Sequence, residues 1–241
     1  MKIVLFFLFS LFFLQSSFSQ GMENNSLTDL QLKNAIHLYN QFTDGNAPIY
    51  NGPQYIYYNF KMEGNPYFIS GDYSKGWVGY NGRVYEPVSM FYDIARNQLV
   101  ILNADGITNI EMHNEFVDSF HLWGHTFISL KEDQKQNLYN TGFYDLLYNG
   151  NIQLLARRIK TFQDNIQNLV VVRVFYNGDR FYIHKDGIYY LVSNKKDVFR
   201  LFADKIHDIK KMMRKKHLKL RHNTFESSLE KVTAFYDQLI H

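Results

Sequence analysis

Val171-Val172-Arg173-Val174-Phe175-Tyr176-Asn177-Gly178-Asp179-Arg180-Phe181-Tyr182-Ile183-His184-Lys185-Asp186-Gly187-Ile188-Tyr189-Tyr190-Leu191-Val192-Ser193 is the stretch on which the fold turns. Asn177-Gly178 sits between runs of β-branched and aromatic residues. Type I′ turns demand positive φ at both central positions, so Asn-Gly in that setting predicts a two-residue hairpin. With this turn Val172 faces Ile183 and Val174 faces Phe181 on a dry face, while Arg173 and Phe175 fall on the other face with Tyr182 and Arg180. A second reversal through Lys185-Asp186-Gly187 adds Tyr189 and Leu191 to the dry face. Tyr190 then joins Arg173, Arg180, Tyr182 and His184 on a mixed basic and aromatic face, suited to an apolar or amphiphilic ligand, an anionic one, or a protein partner.

The same punctuation recurs along the chain. Asn51-Gly52, Asn81-Gly82 and Asn149-Gly150 repeat the Asn-Gly signal, and Asp105-Gly106 and Asp186-Gly187 add two more turns. Turns this closely spaced leave no room for the long crossovers that parallel strands need, so sequence neighbours pair in a meander. Helices bracket these strands. Ser26 caps a segment over residues 27–42, with Asp29 in its first turn. From Asp197, the positions Val198, Leu201, Phe202, Ile206, Ile209, Met212 and Met213 follow helical spacing. Asn223 with Glu226 opens a last helix carrying Phe225, Leu229, Val232, Tyr236 and Leu239. The fold class expected is therefore α+β: a mainly antiparallel β-meander, bent as a curved sheet or half-barrel, with an N-terminal helix and a C-terminal helical pair within residues 195–241.

Lys2, the apolar run over residues 3–14 and the short polar, small-residue segment that follows have the layout of a secretory leader, with cleavage expected between Ser19 and Gln20. The run is well short of the ~20 residues that span a bilayer. Residues 20–241 are then expected as one domain, exported to the periplasm or medium. There is no cysteine, so this domain holds by packing without disulfides, and a lipid-modified cysteine is excluded. Apolar residues make up 46% and charged residues 20% of the chain, which excludes general disorder, and a net charge of +3 is too small to point to nucleic acid.

Gly76-Trp77-Val78-Gly79-Tyr80-Asn81-Gly82-Arg83-Val84-Tyr85, continuing to Tyr92-Asp93-Ile94, and Gly142-Phe143-Tyr144-Asp145-Leu146-Leu147-Tyr148-Asn149-Gly150 resemble segments of a family of exported proteins of unknown function from Bacteroidota-type bacteria. The resemblance implies export and a β-rich fold and assigns no functional residue.

Several constellations carry possible chemistry. His113, His121 and His125 lie near Glu111 and Glu115. On a strand, however, His121 and His125 stand about 13 Å apart at ~3.3 Å per residue, so no metal site is expected. Asp93 and Asp145 each follow a tyrosine and would serve a hydrolase of unfamiliar type if they met across the sheet. No nucleophile elbow, phosphate loop or dinucleotide fingerprint is present, so no cofactor is expected. The chain from Lys205 to Arg221 is strongly basic: Lys210, Lys211, Arg214, Lys215, Lys216 and Lys219 are candidates for contact with an anionic membrane surface, with methionines on the opposite helix face. The function expected is a non-enzymatic cell-envelope binding or interaction protein, whose partner is an envelope protein or an apolar ligand; the hydrolase and the membrane binder are the alternatives.

Overall fold

The computed structural model describes residues 47–240 together with Gln31. The chain divides into two compact units, residues 1–47 and 48–241. The expected leader lies outside the described residues, as does the expected N-terminal helix apart from Gln31. In the second unit thirteen strands run in chain order: β1 (Met62–Glu63), β2 (Ser74–Tyr80), β3 (Arg83–Asp93), β4 (Gln98–Leu102), β5 (Asn109–Glu111), β6 (Val117–Leu122), β7 (His125–Leu130), β8 (Gly142–Asn149), β9 (Gln153–Arg157), β10 (Lys160–Gln167), β11 (Val170–Asn177), β12 (Arg180–Lys185) and β13 (Ile188–Val192).

Ten of these form one antiparallel sheet in the order β13-β12-β9-β8-β7-β6-β2-β3-β4-β5. The meander is broken twice, where β6 returns beside β2 and where β12 returns beside β9. The sheet is sharply curved. Tyr92 on β3 places its ring 5.5 Å from Phe120, 5.3 Å from Phe127 and 5.8 Å from Phe143 on β8. Four strand spacings separate β3 from β8, roughly 19 Å in a flat sheet at ~4.8 Å each. Only a sheet rolled over its own inner face brings these rings together, and the rings are what fill the roll.

The Asn81-Gly82 turn is as the sequence predicts: φ is +51° and +73°, and Val78 pairs with Tyr85 and Gly79 with Val84. Asn177-Gly178 is not a hairpin. The Gly178 N–H donates to the Ile159 carbonyl, and β11 pairs instead with β10, closed by Asn168-Leu169 at φ +49° and +65°. β10 and β11, with a short parallel contact to β1, form a second three-stranded sheet. The reversal after β12 uses two residues, Asp186-Gly187, so that Lys185 pairs with Ile188 and Ile183 with Tyr190. A one-residue change in loop length moves every later side chain to the opposite face. Tyr190 therefore lies on the face of Ile183, and Tyr189 and Leu191 lie on that of Tyr182 and His184.

Three helices close the chain: α1 (Lys195–Leu201), α2 (Ile206–Lys215) and α3 (Phe225–Leu239). The Asn194 side chain caps α1 by accepting from the Lys196 and Asp197 N–H groups. A 3-10 turn over Ala203–Lys205 separates α1 from α2. The C-terminal pair, α2 and α3, buries Ile209, Met212, Met213, Leu229, Val232 and Tyr236 with Val198 and Phe202, against Leu154, Ile183 and Val192 of the sheet. Full burial of side chains of this size contributes about 1.5–3 kcal/mol each. α3 begins without a side-chain cap, because the hydroxyl of its N-cap residue, Thr224, donates instead to the Lys219 carbonyl, and Glu226 is turned to Arg158.

Candidate functional site: a basic cleft on the C-terminal helices

α2 ends in a tight reversal. His217 takes φ +53°, its N–H donates to the Arg214 carbonyl, and the Leu218 N–H donates to the Met213 carbonyl. This is the Schellman arrangement, with histidine where glycine is usual. It folds Leu218 back onto Met213 and returns Lys219 beside Arg214, so cations four and five positions apart in sequence share one wall.

The opposite wall belongs to α1. Together they enclose a cleft of about 640 Å³ lined by Lys195 and Phe199 from α1, Lys210, Met213 and Arg214 from α2, and His217, Leu218 and Lys219 beyond it. The Phe199 ring receives two ammonium groups, Lys195 Nζ at 5.0 Å and Lys210 Nζ at 5.3 Å from its centroid. The Arg214 Nε–H donates to the Lys210 carbonyl. No carboxylate lines the cleft. Among the described residues none of Lys195, Lys210, Arg214 and Lys219 pairs with an acid. The negative end of the α2 dipole helps hold these charges together. A cleft of one sign with an aromatic and aliphatic floor attracts an anion that carries an apolar part. The larger cleft of about 900 Å³ beside α3 differs, since Asp179, Glu226 and Glu230 face Arg180 and Arg221 there.

Of the six cations that the sequence marks, Lys210, Arg214 and Lys219 line the basic cleft; Lys211, Lys215 and Lys216 are exposed outside it. The helix cannot lay its apolar stripe on a bilayer, because Ile209, Met212 and Met213 are buried against the sheet and α3. The mixed face is dispersed. Arg173 belongs to the second sheet and pairs with Asp164, at 2.7 and 2.8 Å. Tyr182 is buried, and His184 stacks on Tyr189 at 4.4 Å, where burial lowers its pKa. Arg180, Tyr182 and Tyr190 do border a separate cleft of about 660 Å³ along β13, the edge of the large sheet.

The two acids do not meet. Asp93 shares the strand face of Phe91, under Tyr55 and Tyr67, whereas Asp145 shares the inner face of Phe143 and pairs across to Phe127. Asp93 is fully buried and accepts from the Tyr55 and Tyr58 hydroxyls and the Arg96 N–H. Burial pushes its pKa up, opposed by those donors and by the Arg96 charge. Asp145 is bound by Arg158 and by His125 Nδ1 at 2.9 Å. Arg158 also reaches Asp179 at 2.8 Å and Glu226 at 2.7 Å, and so ties β8, the second-sheet connection and α3 at one point. Its importance shows in the sequence only as Arg157-Arg158 at the end of an apolar strand: alternation turns one of the two inward, where a guanidinium needs partners. The histidines likewise have separate neighbours, His113 with Glu115, His121 with Thr126, and His125 with Asp145. No group of three metal-ligating side chains occurs among the described residues.

Compared with known proteins, the chain matches no family model, no curated protein and no solved structure.

Proposed function

We propose that this is an exported, non-enzymatic binding protein whose basic cleft holds an amphiphilic anion, an acid headgroup with an apolar chain or ring. One observation carries the proposal: Lys195, Lys210, Arg214 and Lys219, without acidic partners, line one cleft, and the first two lie over its Phe199 ring. The headgroup meets the ammonium and guanidinium groups, and the apolar part lies against Phe199, Met213 and Leu218. Export is supported by the leader-like start and by the resemblance to exported proteins. Against catalysis by paired acids stands the placement of Asp93 and Asp145 on opposite faces, each engaged by its own donors.

Calorimetric titration with dodecyl phosphate below its micelle concentration tests the proposal, with dodecyl maltoside and dodecyltrimethylammonium as comparators. Dodecyl phosphate is expected to bind in a salt-sensitive manner, and Lys210→Glu with Arg214→Glu to weaken it by about tenfold or more, as expected when two close charges are reversed. Equal binding of the uncharged detergent, or an unaffected double variant, overturns it.

A further inference from the structure

The second sheet ends in an unguarded edge. β10 has β11 on one side and no strand on the other among the described residues. Its eight pairs with β11 run from Lys160–Asn177 to Gln167–Val170 without a register shift, and it contains no proline. Natural edge strands are often blunted by bulges or prolines, because a straight row of free N–H and C=O groups recruits another strand; β10 has neither, and its two charges, Lys160 and Asp164, are of opposite sign. Here Phe162 is 52% and Ile166 78% exposed beside that row.

The phase of the free groups is fixed by two observed bonds. Gly178 N–H donates to Ile159 O, so odd-numbered residues of β10 turn their backbone groups toward β11. Arg173, opposite Asp164, sends its N–H away from β10 to Lys61 O, so even-numbered residues of β10 present theirs outward. Lys160, Phe162, Asp164 and Ile166 offer the groups to which an added strand can bond. A bilayer offers no such bonds, and unpaired backbone is excluded from hydrocarbon.

We infer that the edge of β10 pairs antiparallel with β10 of a second copy, on a two-fold axis through Phe162. This register makes Phe162 a hydrogen-bonded pair with its own copy and sets Lys160 opposite Asp164 twice, a residue spacing that joins unlike charges and an aromatic pair. Centring on Asp164 would oppose two carboxylates, and centring on Gln163 would set Phe162 opposite Asp164 and Lys160 opposite Ile166, apolar against charged in every outward pair. Arg173, already 3.9 Å from the Phe162 ring centroid, flanks the aromatic pair. The product is a continuous six-stranded sheet made from both copies.

Two measurements test this. Sedimentation equilibrium of the full chain is expected to show a concentration-dependent dimer. Phe162→Pro removes an outward N–H while sparing the β10–β11 bonds, so it should weaken the dimer by about tenfold or more, the worth of two symmetric hydrogen bonds, with circular dichroism unchanged. The chain has no cysteine, so Phe162→Cys introduces a single thiol, which a short bismaleimide should cross-link to its copy. Ile166→Cys should not cross-link, since this register separates the two Ile166 positions by about 27 Å at ~3.4 Å per residue. A monomer at every concentration, cross-linking at 166 but not 162, or binding to phosphatidylglycerol vesicles in place of dimerisation would each overturn the inference.

Discussion

Arg158→Met should be among the most damaging single changes in the described chain. The Arg158 side chain is 7% exposed and that of Asp145 is 1% exposed. Methionine keeps most of the stem volume, so the loss is the guanidinium and its bonds to Asp145, Asp179 and Glu226. Asp145 would be left with His125 alone, and its Oδ1 already lacks a hydrogen-bond partner. Breaking one side of a buried ion network costs about 3–5 kcal/mol, because a charge stays behind without compensation. At ~2–4 °C per kcal/mol for a domain of this size, the thermal midpoint should fall by about 6–20 °C. Urea unfolding of the variant gives the free energy directly, and adding Asp145→Leu should restore much of it, since the stranded charge is removed. Glu226 is 37% exposed, so Glu226→Gln should cost about 1 kcal/mol or less. An Arg158→Met variant within about 1 kcal/mol of the parent would refute the claim that this cluster pins the helices to the sheet.

Leu169 is 99% exposed in a left-handed conformation that costs an L-residue roughly 1–2 kcal/mol. Leu169→Gly should relieve this strain, less the greater chain entropy of glycine, for a net gain of about 0.5–1 kcal/mol. Slower amide exchange in β10 and β11 would report that gain, and faster exchange would count against it. For Asp93, burial raises the carboxyl pKa in the folded protein, so the native state holds this proton more tightly than the unfolded chain does. Its contribution is full below the ordinary carboxylate pKa near 3.8 and is lost as pH rises through the folded value. The stability of the parent relative to Asp93→Asn, measured by urea unfolding from pH 3.5 upward, should therefore decline with rising pH, and an increase would contradict the assigned sign.

Turn chemistry made much of this fold legible. Asn81-Gly82, Asp105-Gly106 and Asp186-Gly187 all lie between paired strands, because glycine there relieves a positive φ that any sequence must otherwise strain to adopt. The helical spacing of Val198, Phe202, Ile209, Met212 and Met213 likewise marks the stripe that is buried. Two features defeat local reading. Asn168-Leu169 reverses the chain with a leucine in the left-handed region, which propensity alone would never assign, while Asn177-Gly178 has a favourable composition and merely passes the chain from one sheet to the other. A single residue of loop length at Asp186-Gly187 then exchanged the faces of β13, and the five-residue mixed surface dissolved with it.

The basic cleft shows why charge is easier to find in a sequence than the place where the fold gathers it. The density of cations between Lys205 and Arg221 is plain, but an amphipathic helix with a charged face fits a bilayer, a partner or bare solvent equally well. The tertiary structure separates these uses by occupying the apolar stripe, which leaves α2 only its polar side. Lys195 and Phe199 then reach Lys210 because the 3-10 turn at Ala203–Lys205 folds α1 back along α2. Fifteen positions separate Lys195 from Lys210, on two helices that the spacing alone would join into one. A continuous helix would hold these two lysines about 22 Å apart at ~1.5 Å per residue. The break instead puts both about 5 Å from one aromatic ring, so it is the interruption of the helix that gathers part of a basic stretch into a cleft.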